Sequence, residues 1–197
     1  MNSSKWLEKF LQAWRFKKVI SYISGNILDY GGNDGELGEY LKQYSYPAMM
    51  GYQYVNHLSI TGKYNTITCL AVIEHMTRND ALGVINKFKK HLTDSGSIII
   101  TTPSILSKPI LEFLAWVGLL DRENIREHKC YYSTFDLQLL AAETGMDIVE
   151  YKRFQFGFNQ FAVMKKAIPI NDSGFVNSYG RRSLWNGVKN EKATCTV

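Results

Sequence analysis

ILDYGGNDGELGEYL, residues 27 to 41, interrupts an apolar run with an acid and three glycines before a helical pattern resumes. Ile27 and Leu28 close a buried strand. Leu37 and Leu41 stand four apart with Tyr40 beside them, which suits the inner face of a helix. The turn between them demands either unusual φ angles or a close approach to its backbone. Strand, glycine turn and helix N-terminus together form a ligand cradle, and a plain strand–helix junction is the alternative. Asp29, Gly31, Asn33 and Gly35 stand at the carboxyl end of this strand, where open α/β sheets collect ligands. Asp29 can accept hydrogen bonds from a cationic group or orient the amides of the turn. The spacing departs from G-x-G-x-x-G, and no phosphate-binding Gly-Lys-Ser/Thr element is present.

On either side of this stretch, strands and helices alternate. Residues 5–23 predict a helix with Trp6, Leu7, Phe10, Leu11 and Trp14 on one apolar arc and Lys5, Lys9, Lys17 and Lys18 on a positive side. Such a helix packs on its own domain, closes over a pocket, pairs with a second copy or lies on an anionic membrane face. After the strand at 26–30 and a helix over 35–43, PAMMGYQYV (47–55) reads as a second strand. A third follows at 65–71, then a helix over 79–91. SIIITT is the β-branched run of a strand buried on both faces, stopped by Pro103. An apolar helical segment (105–120) and a charged linker lead to a helix over 135–144, capped by Ser133 or Thr134 and ended by Gly145. MDIVEYKRFQF and FNQFAVMKK, separated near Gly157, pair as an antiparallel hairpin. The pattern is α/β with a largely parallel sheet. Residues 1–168 form one domain on this basis, and 169–197 a surface extension or disordered tail.

At 197 residues, with 45% hydrophobic and 13% aromatic residues, the chain can bury a core without covalent staples. The net charge of +5 resides at the ends: residues 1–18 carry +4, residues 181–197 carry +3, and those between sum to −2. A split charge of this kind argues against nucleic acid as a partner. Cys69, Cys130 and Cys195 are widely spaced and match no disulfide or metal framework, which points to a reducing cytoplasm. No run reaches membrane-spanning length and no signal-peptide pattern opens the chain, so a cytoplasmic protein, peripheral to a membrane at most, is expected.

Three segments together resemble class I S-adenosylmethionine-dependent methyltransferases. ILDYGGNDGELGEYL is similar to motif I of that family, with Asn33 in place of the middle glycine. YNTITCLAVIEHM resembles the family's fourth strand leading into an apolar-Glu-His step, and GSIIITTPS its fifth strand and following loop. REHKCYYSTFDLQLLAAETG and FGFNQFAVMKK resemble the C-terminal part of small methyltransferases of bacterial polysaccharide and lipid-linked sugar pathways. The resemblance covers about residues 5–166. It implies a compact Rossmann-like methyltransferase sheet with a C-terminal antiparallel hairpin. Only 38 residues separate Gly35 from Glu74, so one helix–strand unit is absent or sharply reduced.

The resemblance implies S-adenosyl-L-methionine as cofactor. Asp29 then lies near the methionine end, Gly31, Asn33 and Gly35 border its body, and Leu70 and Ala71 shape the passage of the strand. Gln53 is the nearest match to the family's acidic ribose clamp, although an amide lacks the charge and second oxygen of a carboxylate. Asn56 is the nearest group to the adenine. His75, following Glu74, and His128, in the acceptor-side loop, are the candidate bases. Glu74 and His75 alone make an incomplete ligand set, so no metal is expected. Among Phe154, Phe156, Phe158 and Phe161, alternation sends some to the core and others to a pocket. Asn159 and Gln160 can present amides to an acceptor, and Lys108 can attract an anionic one. The function expected is methyl transfer to a hydroxyl of a small or lipid-linked saccharide acceptor. A catalytically impaired relative used for binding or assembly, and an RNA methyltransferase or RNA-binding module, are the competing classes.

Overall fold

The computed structural model describes residues 3–32, 34–44, 49–57, 59–117, 128–168 and 194–195. Asn33, Pro47 and most of the tail lie outside the described residues. The elements are α1 (Ser3–Val19), β1 (Gly25–Tyr30), α2 (Glu36–Gln43), β2 (Met49–Val55), β3 (Tyr64–Leu70), α3 (Arg78–His91) and β4 (Leu92–Pro103). They continue as α4 (Lys108–Trp116), β5 (Cys130–Tyr131), α5 (Thr134–Glu143), β6 (Met146–Phe154), β7 (Asn159–Lys166) and β8 (Thr194–Cys195).

The main sheet runs β2-β1-β3-β4-β7-β6. Its first four strands are mutually parallel, and β7 joins β4 antiparallel before turning back on β6. The expected hairpin is therefore present, in the register Met146↔Lys166 to Phe154↔Asn159. Residues 56–63 hold no helix or strand among the described residues, so β2 stands at the sheet edge. One helix–strand unit is absent there.

The alternation along β4 explains why SIIITT reads as a continuous apolar run. Ile98 and Ile100 face a cluster with Phe88 and Ile85 of α3 and Leu137 and Leu140 of α5. Ile99 faces the opposite cluster, with Phe16 and Val19 of α1 and Leu37 and Leu41 of α2. Both faces are covered, as a parallel sheet requires. α3 and α5 each begin with a capping box, Thr77 with Asp80 and Ser133 with Asp136.

Of the roles open to α1, closing over a pocket is the one its placement shows, and its apolar arc is largely outward: Phe16 and Val19 are buried, whereas Trp6 and Phe10 are 62% and 49% exposed. The physical reason is that much of the inner side of α1 faces a polar cavity rather than the core. The expectation for the cysteines is corrected: they do not stand apart. Cys130 is disulfide-bonded, and Cys195 sits opposite it in the antiparallel β5–β8 pair, while Cys69 is free and buried. Sequence distance says nothing about two residues that a strand pairing brings face to face. No helix among the described residues is long and apolar enough to cross a membrane.

Candidate active site

Asp29, the penultimate residue of β1, is 2% exposed. Its carboxylate accepts hydrogen bonds from Thr68 Oγ1 at 2.7 Å and Tyr52 OH at 2.8 Å. Burial raises its pKa, and these two donors pull against that. Both oxygens are thus held from below, which fixes the turn above them. A Cβ on Gly31, whose φ is +75°, would stand 2.5 Å from Val72 Cγ2. A Cβ on Gly32 would stand 2.1 Å from Asp29 Oδ2. Only glycine fits this close approach. Gly35 opens α2 as its N-cap, and its amide donates to Gly32 O at 2.8 Å.

Above the turn lies a cavity of about 910 Å³. Its floor is Asp29, Gly31 and Gly32 with Leu70, Ala71 and Val72 from the end of β3. Its roof is α1, through Glu8, Lys9, Leu11, Gln12, Arg15 and Phe16. Glu74, His75, Pro103, His128 and Asn159 form the far wall, and Asn56 stands beyond the end of β2. Ala71 adopts φ 58° where the chain leaves β3, with its amide donating to Thr101 O at 2.9 Å. Gln53 is not part of this wall. It pairs with Leu28 inside β2 and accepts from Tyr64 OH at 2.7 Å. The strand ends at Val55, as its sequence pattern suggests, and Asn56, the residue just past that end, lines the cavity in place of Gln53.

The two candidate bases meet. The His75 and His128 rings lie 4.8 Å apart in a T-shaped arrangement. The loop bearing His128 is pinned to the Ile73–His75 turn, because Lys129 N donates to Glu74 O at 2.7 Å. Gln160 is fully buried and donates to Tyr132 O at 2.6 Å, so it braces this loop rather than meeting a ligand. Burial, reinforced by His75, lowers the His128 pKa to about 4, leaving the ring neutral at pH 7. Glu74 is 1% exposed, and burial pushes its pKa up to about 7 against the pull of Arg15. Glu74, His75 and His128 each offer a ligand atom, all within 4.8 Å of one another. His128 therefore completes a triad that Glu74 and His75 alone do not make. Such a set can pass a proton or hold a divalent ion.

Residues 5–151 match the family described as a methyltransferase domain. The chain belongs to that family. No curated protein matches the methyltransferase domain in sequence. Solved structures match it in fold. Mitomycin 7-O-methyltransferase MmcR superposes with a TM-score of 0.63 at 10% identity, over 80% of this chain and 54% of that one. The chain thus spans about half the length of that neighbour. Magnesium protoporphyrin IX methyltransferase ChlM from Synechocystis PCC 6803, with bound SAH, gives 0.57 at 14% identity, over 79% and 84%. A S-adenosylmethionine-dependent methyltransferase from Clostridium acetobutylicum ATCC 824 gives 0.51 at 12%, over 84% and 91%. At these identities the likeness is one of fold.

The cavity of the methyltransferase domain fits a cofactor that is both charged and rich in hydrogen-bonding groups. Besides the glycine cradle, five buried side-chain polar atoms among the described residues have no hydrogen-bond partner, and Arg15 Nε, Glu74 Oε2 and Asn159 Oδ1 are the three of them at the cavity. The Asn159 amide orientation follows from its neighbours. Gln155 Nε2 donates to Leu11 O, so its Oε1 accepts from Asn159 Nδ2 and Asn159 Oδ1 is left for a ligand. Arg15 escaped the sequence pattern because it reads as one more charge on a basic helix. Its signal was position, one residue before the buried Phe16 and four after Leu11.

Proposed function

We propose that the chain transfers a methyl group from S-adenosylmethionine to a hydroxyl of a small or saccharide-containing acceptor. Three unpaired buried groups in one cavity support this reading. Arg15 Nε is a donor suited to a carboxylate such as that of a methionine moiety, and Glu74 Oε2 and Asn159 Oδ1 are acceptors suited to hydroxyl protons. When bound, the cofactor supplies an electrophilic methyl group on a sulfonium centre. Gly31 and Gly32 admit it closely, Asp29 holds the turn, and Asn56 offers an amide from the end of β2.

On the acceptor side, Asn159 Oδ1 orients the hydroxyl and His75 takes its proton as the oxygen–methyl bond forms. Neutral His128 stands against His75, and the Glu74 carboxylate compensates the charge that arises. His75→Ala is expected to lower the rate of methyl transfer by about a hundredfold while cofactor affinity stays within about threefold. A parallel loss of binding would assign His75 to the cofactor instead.

Arg15→Ala is expected to weaken S-adenosylmethionine binding by about tenfold to a hundredfold, the range of a charged hydrogen bond, with partial recovery in Arg15→Lys. Calorimetry on both variants measures this, and unchanged affinity removes Arg15 from the site. A second reading has one observation in its favour. The end of β2 carries Asn56 in place of a carboxylate, a weaker acceptor for ribose hydroxyls, which favours a catalytically impaired relative used for binding or assembly. No heat and no stabilisation on adding S-adenosylmethionine is its expected result.

A further inference from the structure

We propose that the outer face of α1, with the Gln155–Gly157 turn, docks the protein on an anionic membrane surface beside the cavity. Trp6, Phe10 and Trp14 follow one another at four-residue spacing, so they share one face of the helix. Their rings form a ladder with 5.8 Å between successive centroids, and Phe156 continues it at 5.8 Å from Trp14. This row is turned outward: Trp6 is 62% exposed and Phe156 87%.

Phe156 is the sharpest sign. Gln155 and Phe156 both hold positive φ, at 50° and 58°, a strained backbone for side-chain-bearing residues. The edge-on contact with Trp14 leaves the phenyl ring 87% exposed, so burial does not offset that strain. The turn is nonetheless fixed, because Gln155 is buried and its Nε2 donates to Leu11 O of α1 at 2.8 Å. Ser104 Oγ donates to Gly157 O at 2.8 Å, which brings in the neighbouring turn with Leu106 56% exposed.

Charge selects the occupant. Lys17 lies three residues beyond Trp14 and seven beyond Phe10, on the same face, and residues 1–18 carry a net +4. Aromatic rings amid exposed lysines match the boundary of an anionic bilayer. A second copy would bring two such positive faces together. The Trp6 and Phe10 planes lie within 12° of parallel and stack on each other, which spends ring faces that a nucleobase would need. This inference is independent of the acceptor.

Flotation of the full chain with vesicles tests it. The protein is expected to float with phosphatidylcholine–phosphatidylglycerol vesicles and far less with phosphatidylcholine alone, with a blue shift of tryptophan fluorescence. The double change Trp6→Ser with Phe10→Ser is expected to lower partitioning about tenfold or more. Phe156→Gly is expected to do so while holding or raising the melting temperature, because glycine accepts that φ. S-adenosylmethionine affinity stays unchanged in all of them, which separates this test from that of the cofactor site. Three results would overturn the inference. One is failure to float with anionic vesicles, and another is flotation indifferent to these substitutions. The third is a dimer, or binding to a generic RNA, that the same substitutions abolish in the absence of vesicle binding.

Discussion

Gly32→Ala is expected to lower S-adenosylmethionine affinity by about a hundredfold. The added Cβ would stand 2.1 Å from Asp29 Oδ2, and that oxygen cannot simply retreat. It accepts from Tyr52 OH, while its twin accepts from Thr68 Oγ1. Either Asp29 abandons these bonds or the turn lifts into the cavity. Losing one or two hydrogen bonds to a buried carboxylate costs about 3 kcal/mol, which is the hundredfold stated. Gly83→Ala is the control. Nothing lies within 4 Å of its Cβ position in α3, so alanine should stabilise that helix by about 1 kcal/mol and leave binding untouched. If the two variants bind the cofactor equally well, the cradle is not where the ligand sits.

The second large effect is on stability against pH. Glu74 has its pKa raised from 4.5 to about 7 by burial. Between these values the folded chain binds the proton more tightly than the unfolded chain does. Stability is therefore highest below pH 4.5 as far as this group is concerned, and it falls as pH rises through the window to about 7. The loss is about 3 kcal/mol, complete by about pH 8. Glu74→Gln removes the titration, so its stability should not show this decline. Denaturant unfolding of both proteins between these pH values, with a chelator present to keep divalent ions off the carboxylate, measures the difference. Parallel curves would contradict the buried titration. The same deprotonation supplies the negative charge beside His75, so the methyl-transfer rate should climb through about pH 7 as stability declines.

The cradle was legible because its chemistry is local. An acid followed by glycines between an apolar strand and a helical pattern marks a tight strand–helix turn, and Asp29, Gly31 and Gly35 stand at the strand end and helix start as that pattern puts them. The capping boxes of α3 and α5 and the double-faced run of β4 are local in the same sense. What escaped depends on tertiary placement. Gln53 and Asn56 differ by three residues, and only the folded sheet shows that Gln53 is taken by Tyr64 OH while Asn56 reaches the cavity. His75 and His128 are meaningful separately, but their meeting depends on the Lys129–Glu74 backbone bond. Arg15 reads in the sequence as one more charge on a basic helix, and only the fold buries its Nε at the cavity wall. Asn33 lies outside the described residues.

Calorimetric titration of the full chain with S-adenosylmethionine bears most directly on the whole account. A single site of micromolar affinity, weakened in Gly32→Ala and kept in His75→Ala, is the predicted result. Absence of heat, with no rise in melting temperature at saturating cofactor, would contradict it.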